Sequence, residues 1–182
     1  MRTRKRHSII VIMMTVAVLF VASITFVMAS TGVKKLVYQG NGKATVYFKT
    51  SVKYDDSVKV TVKDNSNKTY KTVIKSKSSS KLQFQIKSYK TGKTYKVTVK
   101  GLGSGDAVTS FKIYSKTNAI KTAKSKSKAK SIKNVKAKST VYREYAVWKV
   151  TFTGKVSGVN RSFTYLIKQQ TGQVMYHNWE LV

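Results

Sequence analysis

Tyr89-Lys90-Thr91-Gly92-Lys93-Thr94-Tyr95-Lys96-Val97-Thr98-Val99 is the stretch on which the fold turns. Thr91-Gly92 supplies a turn, and from Tyr95 onward apolar and polar residues alternate. Tyr95, Val97 and Val99 fall on one side, Lys96, Thr98 and Lys100 on the other. Strict alternation of this kind makes a strand with one buried and one wet face. The same pattern recurs on both sides of it. Upstream lie Ala44, Val46 and Phe48, then Val58, Val60 and Val62, then Leu82, Phe84 and Ile86; downstream lie Phe111 and Ile113. Weaker segments near 33–39 and 69–75 complete a set of seven. Turn formers stand between them at Gly40-Asn41-Gly42, Tyr54-Asp55-Asp56, Asp64-Asn65-Ser66-Asn67 and Gly101 to Gly105. Short alternating strands with frequent turns predict a seven-strand β-sandwich over residues 33–115.

The 89–99 stretch resembles the signature of fibronectin type III domains, in which a turn ending in Gly precedes a Tyr that opens the sixth strand. The resemblance implies that Tyr95 is a structural tyrosine corner, its hydroxyl bonded to backbone a few residues upstream. The usual prolines and a core Trp are missing, since the chain has no Pro and its tryptophans are Trp148 and Trp179. A generic immunoglobulin-like sandwich therefore stays open beside the fibronectin type III-like one. Lysines take outward positions on many of these strands. The expectation is an even lysine coat over both sheets that keeps strand edges soluble.

The N-terminus is of a different kind. Residues 1–7 carry Arg2, Arg4, Lys5 and Arg6, and an uncharged apolar run follows from Ser8 to Ala29. A basic start and an apolar run direct a chain to a membrane with the basic end inside. Residues 1–29 are thus a signal peptide cleaved after Ala29 or a retained anchor giving membrane contact through residues 8–29. Either way the remainder is expected outside the cytoplasm, secreted or held on the outer face of a bacterial membrane. The whole chain has 36 Lys and Arg against 6 Asp and Glu, a net +30. Leaving out the four basic residues of the N-terminus gives 32 against 6, a net +26.

Residues 116–182 read as a small α+β module of helix and antiparallel sheet. Alternation returns at Trp148, Val150 and Phe152, again at Phe163, Tyr165 and Ile167, and at Val174 and Tyr176. A connection from Gly154 to Asn160 separates the first two, Thr171-Gly172 marks the next turn, and Lys133 to Tyr142 supplies a further strand. Before them stands Lys121-Thr122-Ala123-Lys124-Ser125-Lys126-Ser127-Lys128-Ala129-Lys130-Ser131-Ile132-Lys133. Three readings of it stay open. It is a helix capped by Asn118 with Ile120, Ala123, Ser127 and Ser131 along one stripe, a self-repelling linker, or a polycation segment. The module is similar to the PepSY domain of exported bacterial proteins. The likeness rests on Ala119-Ile120 and Ala123 in a helix, Trp148-Lys149-Val150 opening a strand, Tyr165-Leu166-Ile167, and Thr171-Gly172-Gln173-Val174. It implies a role in restraining a secreted peptidase, which would then be a partner. The chain departs from that family at Lys168, where an acidic residue is common.

Composition argues against catalysis. With no Cys, two His and six carboxylates, there is little material for a metal site, a thiol nucleophile or a His-based triad. His177 is the only imidazole beyond the N-terminus and is expected at a strand end; Asp55-Asp56 sit in a turn with no second cluster. No catalytic, metal or cofactor-binding residue is assigned, and a non-enzymatic role follows. The charge points instead to anionic cell-wall polymer or an anionic lipid surface, with Lys121, Lys124, Lys126, Lys128, Lys130 and Lys133 as the candidate polyanion-binding residues. Of the 32 basic residues beyond the N-terminus only Arg143 and Arg161 are arginine. Bidentate reading of phosphate and base edges favours Arg, so sequence-specific nucleic-acid recognition is not expected. A structural spacer without a specific ligand is the third reading.

Overall fold

The computed structural model describes residues 32–103 and 105–182; the expected signal or anchor at 1–29 lies outside them. Twelve strands, all paired antiparallel, and one helix make up the described chain, arranged as three four-stranded sheets. The fold is mainly β. Two sheets face each other as a sandwich. The first has the order β1 (Val33–Gly40), β2 (Lys43–Phe48), β6 (Lys81–Ile86), β5 (Thr72–Ser78). The second has the order β4 (Thr69–Tyr70), β3 (Tyr54–Asp64), β7 (Thr94–Leu102), β8 (Ala107–Lys112).

The inward set of each alternating strand fills the space between the sheets. Tyr38, Val46, Leu82, Phe84 and Ile86 come from the first sheet and Val60, Val62, Tyr95, Val97, Val99 and Phe111 from the second, all buried in one cluster. Asn41-Gly42 closes the first hairpin in two residues, both at positive φ (52° and 74°). Such a turn matches the twist of the strands it joins. Eight strands stand where seven were expected. The segment near 69–75 divides at Lys71: Tyr70 pairs with Val62 in one sheet, and Thr72 pairs with Ile86 in the other. Tyr54-Asp55-Asp56 is no turn either but the irregular start of β3, with a register shift between Tyr54 and Lys59.

Tyr95 closes the corner below β7. Its hydroxyl accepts from Lys90 N–H and donates to Lys90 C=O, both at 2.8 Å. The ring is fully buried and lies 5.3 Å from Tyr70 and 5.6 Å from Phe111. Burial raises the hydroxyl's pKa, so it stays protonated and able to donate. At the end of β3 the buried Asp64 accepts from Ser66 N–H, Lys68 N–H and the Tyr70 hydroxyl. Burial alone would raise its pKa, but these donors outweigh it and hold the carboxyl below the usual range.

The third sheet has the order β12 (Val174–Leu181), β11 (Val159–Lys168), β10 (Tyr145–Val156), β9 (Lys130–Tyr142), with helix α1 (Lys116–Ser127) against one face. Of the three readings of the lysine-serine segment, the helix holds as far as Ser127. Its cap is Ser115, not Asn118: the Ser115 hydroxyl accepts from Asn118 N–H at 3.1 Å. Ala119 and Ala123, four residues apart, are its buried positions. Their small side chains bring the helix close over Val150, Phe152, Phe163, Tyr165 and Ile167. Lys124 and Lys126 occupy the last turn, where cations complement the helix dipole. Ser131 belongs to β9 rather than to a helical stripe.

Two further corrections concern β-strand ends. The connection expected from Gly154 to Asn160 is a two-residue turn, Ser157-Gly158, with both residues at positive φ. Trp148 lies inside β10, which starts at Tyr145. Its indole N–H donates to Tyr114 C=O at 2.8 Å. Tyr114 N–H in turn donates to Gln169 C=O. Gln170 then covers the edge of β1, accepting from Tyr38 N–H at 3.2 Å and donating to Leu36 C=O at 2.8 Å. An exposed strand edge invites foreign pairing, so these bonds both tie the third sheet to the sandwich and shield that edge.

Candidate anion-binding site

Three left-handed backbone positions gather lysines at one end of the third sheet. Lys128 ends α1 at φ 54°, and Ser131 and Asn134 interrupt β9 at φ 51° and 55°. Each of the last two coincides with a register shift against β10, a bulge that turns the strand edge. Gly154 allows the chain after α1 to lie this close to β10, since a Cβ there would stand 3.0 Å from Ala129 Cβ and 3.2 Å from Lys130 C=O. The register of β10 on β9 then places Lys155 directly opposite Lys130.

Two adjoining clefts result. One, of about 560 Å³, is lined by Ser131, Lys133, Asn134, Thr153, Gly154, Lys155, Asn160 and Val182. The other, of about 550 Å³, is lined by Lys128, Lys130, Ser131, Lys155, Val156, Ser157 and Gly158. Ser131 and Lys155 belong to both, and no Asp or Glu side chain lines either. Ammonium groups, hydroxyls and side-chain amides all donate hydrogen bonds, so the lining suits phosphate, sulfate or carboxylate oxygens. Like charges directly opposite on neighbouring strands destabilise a sheet, and Lys130 and Lys155 are such a pair.

No family profile, curated protein or solved structure matches the chain.

The six lysines expected to act as one segment are divided by the fold. Lys128, Lys130 and Lys133 line the clefts, whereas Lys121, Lys124 and Lys126 ride on α1. Lys155, Ser157 and Asn160 join the site without being foreseen. Their signal was the Ser-Gly pair at 157–158, which read as a tight hairpin places residues 155 and 160 beside its tip. His177 lies in the middle of β12 rather than at a strand end, exposed and stacked on Tyr165 with ring centres 5.7 Å apart. The Asp55 carboxylate accepts from the Ser57 N–H and hydroxyl at 2.8 and 2.7 Å, a local contact within the irregular start of β3. Among the described residues no group of three or more His, Cys, Asp or Glu side chains is placed to hold a metal ion. Among them, too, no helix is long and apolar enough to cross a membrane.

Exposed lysines stand on strands of both sandwich sheets, but they meet differently. On the outer face of the first sandwich sheet, Lys43 faces Gln85 and Thr45 faces Gln83. Gln39, Thr45 and Gln83 are linked there, the Thr45 hydroxyl and Gln83 Nε2 donating to the side-chain Oε1 of Gln39 at 3.1 and 2.9 Å. On the outer face of the second, Lys59 faces Lys100 and Lys63 faces Lys96. Alternation in the sequence assigns lysines to the outside but does not say which of them meet.

Proposed function

We propose that the chain is a non-enzymatic envelope protein working outside the cytoplasm, where its lysines hold anionic cell-surface polymer. The observation that carries this reading is the opposition of Lys130 and Lys155, with Lys128 and Lys133 around the same clefts, which no Asp or Glu side chain lines. The residues beyond the N-terminus have a net +26, and three of the six carboxylates are already paired, with Lys35, Lys93 and Lys100. A field of this size attracts polyanions over a distance and fades with salt. The lysine chemistry favours point-charge contacts to repeating anionic groups over the reading of a base sequence.

In the same reading the sandwich is fibronectin type III-like and the third sheet with its helix is PepSY-like. The Lys90–Tyr95 corner and the strand orders of the two facing sheets support the first assignment. A helix laid across a four-stranded antiparallel sheet supports the second. The sandwich then acts as a spacer that presents the lysine-lined end of the third sheet to the polymer. Replacing Lys128, Lys130, Lys133 and Lys155 by Gln tests the assignment. At roughly 0.5 kcal/mol for each exposed charge, the four together weaken binding of purified wall polymer about thirtyfold at low salt. Unchanged affinity removes these clefts from the account.

A further inference from the structure

The outer face of the β4-β3-β7-β8 sheet has no part in the site above, yet it is ordered in rows across the strands. Lys59 and Lys100 form one row, Thr61, Thr98 and Val108 the next, and Thr69, Lys63, Lys96 and Ser110 the third. An open groove of about 640 Å³ runs over Thr61, Lys63, Lys96, Thr98, Lys100 and Ser110, with Asp64, Asn65, Asn67 and Thr94 also in its lining. Successive rows are about 6.8 Å apart and the two lysine rows about 14 Å. Asp64 is spent on its own turn and on Lys93 at 3.8 Å, and Asp106 lies 3.8 Å from Lys100. Lys59, Lys63 and Lys96 have no carboxylate partner among the described residues.

Two directly opposed lysine pairs in one sheet work against folding. The facing sheet avoids them by setting Lys43 against Gln85. The cost has a physical return if an anion lies between the pairs. We propose that this face is a second binding site, taking a linear, flexible phosphodiester polymer whose phosphates meet the lysine rows while its uncharged links cross the threonine row. The chemistry narrows the class. Every side chain of the three rows except Val108, at the β8 end of the threonine row, donates hydrogen bonds. None is aromatic, so the face offers no platform for stacking nucleobases. None is arginine, so planar bidentate recognition is absent and a compact point charge meets each anionic group. The inference rests on the polyanion reading above and adds to it a place, a direction across the strands and a ligand class. With the clefts at the end of the third sheet it makes the chain bivalent for one long polymer.

The test compares three variants of the full chain: K59Q/K63Q/K96Q on this face, K128Q/K130Q/K133Q/K155Q at the clefts, and K43Q/K75Q/K87Q as a control with the same charge loss as the face variant. The probe is synthetic poly(glycerol phosphate), with poly-L-glutamate of matched charge and oligothymidylate alongside. The face variant is expected to bind the phosphodiester polymer about tenfold more weakly and the control within twofold of the unaltered chain. Without polymer, the face variant melts about 2 °C higher because the opposed charges are gone, and the control does not. Equal weakening by face and control variants overturns the proposal in favour of a diffuse field, as does poly-L-glutamate or oligothymidylate binding as tightly as the phosphodiester probe. Binding lost only in the cleft variant removes the second site and leaves the first. Absence of binding by the unaltered chain at low salt removes both.

Discussion

Replacing Tyr95 by Phe isolates the corner that joins the two sandwich sheets. The ring keeps its place against Tyr70 and Phe111, at 5.3 and 5.6 Å, so packing is conserved and only the hydroxyl is lost. Two hydrogen bonds disappear, and Lys90 N–H and C=O are left without that partner. At about 0.5–1.5 kcal/mol for each bond the cost is about 2 kcal/mol. For a chain of this length that lowers Tm by roughly 4–8 °C. Urea unfolding followed by far-ultraviolet circular dichroism measures it directly, with the dependence on denaturant unchanged. Trp148 reports the same transition by fluorescence, because its indole is bonded to Tyr114 at the junction and Ala146 of β10 packs into the sandwich core. A loss below 0.5 kcal/mol, or fluorescence and dichroism transitions that separate, refutes the reasoning.

Three other outcomes follow from particular contacts. Gly42→Ala forces a residue with a side chain to φ 74° and sets its Cβ against Ile86 C=O; a loss of at least about 2 kcal/mol is expected, by thermal melting. Gln170→Ala strips the bonds to Leu36 and Tyr38 and costs about 1–3 kcal/mol, with faster hydrogen exchange at the Tyr38 amide; unchanged exchange there contradicts the edge-covering role. Because the folded pKa of Asp64 is below its unfolded value, its contribution is present above the ordinary Asp range and is lost as pH falls through the folded value. Stability should therefore drop below about pH 4, and Asp64→Asn should flatten that part of the acid limb in a pH series of urea midpoints.

What the sequence discloses and what it hides divide along the range of the interactions. The alternation at Tyr95, Val97 and Val99 and the turn at Asn41-Gly42 are local, and both read correctly. The division of 69–75 is not local, since Lys71 marks where the chain leaves one sheet for the other and nothing in Thr-Tyr-Lys-Thr-Val announces it. In β9 the left-handed residues Ser131 and Asn134 stretch the apolar spacing from two to three between Ala129, Ile132 and Val135, so the strand's first residues passed for the tail of a helix or linker. Ser115 lies just outside the segment that looked helical, which is why Asn118 took its role as cap. The candidate site was half legible. Lys128, Lys130 and Lys133 are adjacent in the chain, but Lys155 reaches them only through the register of β10 on β9. The lysine rows of the sandwich likewise depend on the register of β3 on β7, which no single strand contains.

The most direct measurement of the central claim is the affinity of the unaltered chain for poly(glycerol phosphate) as a function of salt. The charge-based account predicts tight binding at low ionic strength and a steep loss toward about 0.15 M, where the screening length is about 8 Å. Binding that ignores salt, or none at low salt, contradicts it.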